Sequence, residues 1–172
     1  TLAQAMFDHD DWRGFDSGRV ALEQVVSRTA LRLELPEARL HDALGPIGER
    51  LVPIACNIDL LAGLRERRRS QGSLGLYFLS NMPEPYARAL ERRHDFLQWF
   101  DGGIFSSDVK LGKPDPAIFR LLASRYRLAD ADTLFIDDNL ANVQAADALG
   151  WQTIHCEAPE RLPDQLMEKL NL

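Results

Sequence analysis

The chain has 172 residues, 45% of them hydrophobic and 27% charged, with a formal net charge of -6. That length holds one core, or one core with a small satellite domain, and the acidic balance argues against nucleic-acid binding as the main role. No apolar run reaches the roughly 18 residues of a membrane span, no secretory signal is visible, and Cys56 and Cys156 make neither a metal spacing nor a disulfide framework, so a cytoplasmic protein is expected.

In chain order, "TLAQAMF" reads as helix. "SGRVALEQVVSRTAL" sets Val20, Leu22, Val25 and Val26 on one apolar stripe, with Asp16 or Ser17 to cap its start. "LPEARLHDALG" begins at Pro36 and stops at Gly45. "NIDLLAGLRERRRSQG" is a helix from near Asn57 to Gly72, and its Arg65, Arg67, Arg68 and Arg69 form either a solvated face or an anion patch. After Gly72 the pattern changes. "LGLYFLSN" is a continuous apolar run of strand length, and "GGIFSS", "TLFIDD" and "QTIHC" follow it. Between them lie the helical stretches "EPYARALERRHDFLQWF", "PDPAIFRLLASRYRL" and "NLANVQAADALG". Strands that are apolar on both faces and alternate with helices indicate a parallel sheet covered on both sides. The expected fold class is therefore α/β, a three-layer Rossmann-like parallel sheet preceded by a small all-helical part, with residues 1–56 helical and 57–172 α/β.

In open parallel α/β sheets, ligands bind beyond the carboxyl ends of the strands. Asp137 and Asp138 close one strand, Ser80 closes "LYFLSN", and Lys113 lies in the loop "KLGKPDP" after "GGIFSS". Adjacent carboxylates offer hard oxygen ligands to Mg²⁺, which keeps several waters and takes one or two protein carboxylates. A serine hydroxyl and the Asn81 amide donate to phosphoryl oxygens, and a lysine supplies a point charge for the same group. Such a set suits phosphoryl transfer, which depends on positioning and charge stabilisation. Each feature also has a plain reading. Asp138 or Asn139 would cap the next helix, Ser80-Asn81 would be a turn, and Lys113 a surface residue that Pro114 holds extended.

The stretches "LYFLSN", "SSDVKLGKPDPAIF" and "TLFIDDNLANVQAADALGW" resemble the second, third and fourth motifs of the haloacid-dehalogenase (HAD) superfamily of phosphohydrolases, with coverage from about residue 57 to 158. The helical residues 1–56 are similar to the small type-1 cap of that superfamily. "WRGFDSGRVALEQV" is similar to the start of the cap in sugar-phosphate phosphatases and in the phosphatase domain of soluble epoxide hydrolases. The resemblance implies that residues 57–172 are the core and that a small phosphorylated metabolite is the substrate, with neither nucleic acid nor membrane as partner. It implies that Ser80 and Asn81 hold phosphoryl oxygens and that Lys113 neutralises the phosphate. It also implies that Asp138 ligates Mg²⁺, that Asp137 ligates it or holds a water or Lys113, and that Asn142 supports the loop.

The pattern departs from the family at one place. The family's nucleophile is an aspartate of an Asp-x-Asp-Gly motif at the end of a strand in the middle of the sheet. Asp8-His9-Asp10 follows a helical stretch and does not match. The nucleophile is therefore expected upstream of Thr1, on a strand whose absence leaves the sheet in two halves with open edges. A metal-free 2-haloacid dehalogenase and a non-catalytic HAD-fold binding protein are the alternatives. The acid pair argues against the first, because a halide-releasing site gains nothing from two carboxylates.

Overall fold

The computed structural model describes residues 2–72 and 74–170. Helices come first: α1 (Leu2–Phe7), α2 (Asp10–Asp16), α3 (Leu22–Leu33), α4 (Glu37–Leu44), the single turn α5 (Ile47–Arg50) and α6 (Ala55–Gln71). Strands then alternate with helices: β1 (Tyr77–Ser80), α7 (Glu84–Arg93), β2 (Gly102–Phe105), the single turn α8 (Ser106–Val109), α9 (Pro116–Tyr126), β3 (Leu134–Asp137), α10 (Leu140–Asp147), β4 (Gln152–His155) and α11 (Leu162–Leu170). This is the α/β grammar expected. Among the described residues the strands pair two by two, β1 with β2 and β3 with β4, in separate two-stranded sheets. No helix among them is long and apolar enough to cross a membrane.

The chain forms two compact units. One contains the chain up to Leu51 with Leu79–Asp95 and Ile104–Gly112. Its core joins Phe15, Val25, Val26, Ala30, Leu40, Leu44 and Tyr86. The stripe expected on α3 is the buried one, Val25, Val26, Thr29 and Ala30. Phe7, Trp12, Phe15 and Tyr86 form an edge-to-face chain with successive centroids 4.5, 5.5 and 5.4 Å apart. Burial pushes the Tyr86 hydroxyl well above its ordinary pKa, and its proton goes to the Leu44 carbonyl at 2.6 Å. A side chain on Gly48 would come within 2.7 Å of the Tyr86 Cα, so α5 and α7 meet backbone to backbone.

Two capping expectations change in this unit. α3 starts at Leu22, and the Gln24 side chain accepts from the Ala21 amide at 3.0 Å. Asp16 and Ser17 instead end α2, where the Ser17 hydroxyl donates to the Arg13 and Gly14 carbonyls at 2.9 and 3.1 Å. Gly18 then turns the chain with φ +64°, a conformation glycine adopts without strain. Asp8 is exposed after helix α1, Asp10 pairs with Arg13 at 2.8 Å, and His9 caps α2 by accepting from the Asp11 amide at 3.1 Å. None of the three closes a strand.

The other unit contains Val52–Phe78, Phe96–Gly103 and the chain from Lys113 onward. β3 and β4 are parallel, with Phe135 opposite Thr153 and Asp137 opposite His155. Phe119, fully buried on α9, meets Phe135 and Trp151 edge-on at 5.2 and 5.7 Å. Ile154, Cys156, Leu162 and Leu166 make a second cluster against Leu60 and Leu64 of α6. The arginines of α6 are partly engaged in structure. Arg68 pairs with Asp101 at 2.9 Å and donates to the Trp99 carbonyl at 3.1 Å, and Arg65 lies 5.3 Å from the Trp99 ring centroid. Both cysteines are free thiols.

Candidate active site

Strand β3 reads Leu-Phe-Ile-Asp, and a strand's side chains alternate between faces. Phe135 and Asp137 therefore share one face, and both are buried. A carboxylate in that position needs partners, because an unpaired buried charge is costly. Asp137 has them on both oxygens. Its Oδ2 meets the Lys113 ammonium at 2.6 Å, with the two side chains only 8% and 6% exposed. Its Oδ1 accepts from the Asn139 amide and from the Asn142 side chain, each at 2.9 Å.

Each partner is placed by local structure. Asn139 is the N-cap of α10, its side chain accepting from the Ala141 amide at 2.9 Å. Asn142 is buried on the first turn of that helix, which brings its amide back over the strand end. Lys113 comes from the loop before α9, and its ammonium lies 5.5 Å from the Phe135 ring centroid. Strand, helix start and loop thus meet at one carboxylate. Lys113, Asp137 and Asn142 form one hydrogen-bonded set.

Asp138 behaves differently. It is the next residue, so it leaves the face that Asp137 occupies, and its side chain is exposed. Its carbonyl lies 3.0 Å from the His155 ring Nε2 at the end of β4. The chemistry of the pair fits Mg²⁺. Asp138 offers an open hard-oxygen donor, and Asp137 Oδ2 keeps a lone pair beyond its contact with Lys113, which is as many protein carboxylates as Mg²⁺ ordinarily takes. Among the described residues no group of three or more His, Cys, Asp and Glu side chains gathers as a fuller metal site.

Ser80 and Asn81 lie in the first compact unit. Ser80 closes β1, and the chain runs through Asn81 and Met82 into α7. The Met82 amide donates to the Ser106 hydroxyl at 2.8 Å, which fixes the start of this turn. A side chain on Gly112 would come within 3.5 Å of the Asn81 amide, so the residue preceding Lys113 in the chain packs on Asn81. Sequence reasoning passed over Phe135 and His155. A phenylalanine in a core strand and an isolated histidine carry no signal until the strand register places them beside Lys113 and Asp138.

The profile of haloacid dehalogenase-like hydrolases matches residues 53–150, and the chain belongs to that family. It is 27% identical over 151 residues to a sesquiterpene phosphatase of Aspergillus oryzae, covering 87% of this chain and 74% of that protein. It is 36% identical over 73 residues to a phosphorylated carbohydrates phosphatase of Thermotoga maritima. The match there covers 41% of this chain and spans about a third of the relative's length, 34%. The fold is similar to that of a HAD family enzyme of Bacteroides thetaiotaomicron solved in complex with magnesium and inorganic phosphate. The TM-score is 0.65 at 21% identity, over 86% of this chain and 74% of that one.

Proposed function

We propose that the protein is a Mg²⁺-dependent phosphohydrolase that cleaves a small phosphate monoester through an aspartyl-phosphate. The observation that carries the reading is Asp137, a buried carboxylate whose oxygens are held by Lys113, Asn139 and Asn142 beside the exposed carboxylate of Asp138. Lys113 supplies a fixed positive charge for the phosphoryl group. Ser80 and Asn81 donate to phosphoryl oxygens. Asp137 aims the lysine, and Asn142 aims Asp137. Asp138, with Asp137 directly or through a water, holds the metal, which when bound offsets charge on the transferring phosphoryl group.

The attacking aspartate belongs to a strand outside residues 1–172. No Asp-x-Asp closes a strand among the described residues, and each strand there has one strand neighbour. An aspartate on an added strand beside β3 would attack phosphorus as the ester P–O bond breaks and the alcohol leaves. Water then attacks the same phosphorus, releasing phosphate and restoring the carboxylate. In this reading residues 1–56 act as a helical cap that limits water and selects the substrate, and residues 57–172 act as the core. The protein works in the cytoplasm on a small phosphorylated metabolite.

The test is phosphate release from a panel of small phosphate monoesters by the full-length native polypeptide. Release should require Mg²⁺, stop in EDTA and return on re-addition, and Asp138→Asn should raise the Mg²⁺ needed by at least tenfold. Turnover that persists in EDTA, or halide release from 2-haloacids, would identify the metal-free dehalogenase instead. Ester binding without turnover would identify a binding protein.

A further inference from the structure

The two adjacent acids are held very differently. Asp137 has donors on both carboxylate oxygens, from Lys113, Asn139 and Asn142. Asp138 is held through its main chain alone. Its carbonyl lies 3.0 Å from the His155 ring Nε2, and no other hydrogen bond or ion pair reaches it among the described residues. A carbonyl oxygen only accepts, so Nε2 carries the proton and donates it. The imidazolium keeps that proton too, so the contact does not depend on the charge of the ring.

Strand register hands this contact to a side chain. β3 and β4 pair as far as Asp137 and His155, and the Cys156 amide donates to the Asp137 carbonyl at 2.9 Å as the last rung. The chain then bends at Asp138 into Asn139, the N-cap of α10. The Asp138 carbonyl therefore lies past the ladder and takes the His155 ring instead. His155 itself is firmly mounted. Ile154 before it and Cys156 after it are buried in one cluster with Leu162 and Leu166, which fixes the strand on both sides of the histidine. The other ring nitrogen, Nδ1, lies 3.8 Å from Oε1 of Glu157, whose side chain is largely exposed.

Resting on the Mg²⁺-dependent reading above, we propose that His155 is a positioning residue for the cation: by holding the Asp138 main chain it fixes how the exposed Asp138 carboxylate is presented, and so sets the affinity of the site for Mg²⁺. A carboxylate on a chain free to swing must be ordered when the ion arrives, and that ordering weakens binding. Groups that orient a metal ligand without touching the metal are ordinarily worth about 10- to 100-fold in affinity. His155 acts here through Asp138 and not as a ligand, because Nε2 directs its proton at the carbonyl and offers no lone pair to a cation.

The test is Mn²⁺ binding by the full-length polypeptide with no ester present, read from the electron paramagnetic resonance of the free ion. His155→Ala should raise Kd by about tenfold. His155→Gln, whose side-chain amide reaches as far as Nε2, should stay within about threefold of the wild type. His155→Asn, whose amide reaches only as far as Nδ1, should bind like the alanine variant. In phosphate release the alanine variant should need about tenfold more Mg²⁺, with kcat at saturating Mg²⁺ little changed. A histidine that only supported the fold would not separate glutamine from asparagine. Wild-type Mn²⁺ affinity in His155→Ala overturns this inference and leaves the phosphatase reading standing. So do equal affinities of the glutamine and asparagine variants, whether both are kept or both are lost. A wild type that binds no Mn²⁺ overturns the Mg²⁺-dependent reading as well.

Discussion

At the scale of single residues, the Lys113–Asp137 pair dominates. Neither side chain is a tenth exposed, so the value of the pair lies in mutual satisfaction rather than in net attraction. Lys113→Met leaves a buried carboxylate with two of its three donors, and it should cost about 3 kcal/mol in chemical denaturation. Asp137→Asn in the same chain should recover much of that loss, giving a coupling well outside additivity. Asn142→Ala removes one donor and should cost about 1–3 kcal/mol. Asp16 makes the opposite prediction. Its pKa of about 6 lies above the ordinary 3.8, so the folded state prefers the neutral acid. Stability from this group is fully present below about pH 4 and is lost as pH rises through about 6. Tyr86 is the titratable group that feels its charge, and its own pKa is raised by burial first and by Asp16 second. Asp16→Asn should therefore match the wild type near pH 4 and exceed it by about 1–2 kcal/mol above pH 7.

At the scale of elements, α9, β3 and α10 carry the candidate site, and their packing decides how firmly it is held. Phe119 of α9 is fully buried edge-on to Phe135 and Trp151. Phe119→Ala should lower stability by about 3–5 kcal/mol and, because Phe135 sits two residues before Asp137, should lower activity as well. This part of the fold was legible in the sequence. The runs "YFLS", "LFID" and "QTIH" are the strands β1, β3 and β4, because short runs apolar on both faces between amphipathic helices have few other places to go. The start of α3 was not legible. Asp16 and Ser17 are good capping residues by type, yet the φ of Gly18 turns the chain before the helix begins, and Gln24 does the capping. Among the site residues, adjacency announced Asp137 and Asp138, and the resemblance gave Asp138 to the metal but left Asp137 open between the metal, a water and Lys113. Strand alternation buries one and exposes the other, and only the partners of Asp137 show which side chains it engages.

At the scale of the whole molecule, the chain is a haloacid dehalogenase-like hydrolase whose described strands pair two by two. A parallel two-stranded sheet exposes unpaired backbone along its outer edges, which native proteins cover or pair. The account supplies the partner for β3 in the strand that bears the nucleophile, and it makes the chemistry depend on that strand. The most direct test is to trap the intermediate. The full-length polypeptide with Mg²⁺ is mixed with a phosphate ester it hydrolyses, quenched within a turnover, reduced with borohydride and mapped by peptide mass spectrometry. Reduction converts an aspartyl-phosphate to homoserine at the labelled position. The account predicts homoserine at one aspartate outside residues 1–172. Homoserine at Asp8, Asp10 or any other aspartate of this chain, or steady hydrolysis with no reducible acyl-phosphate, would contradict it.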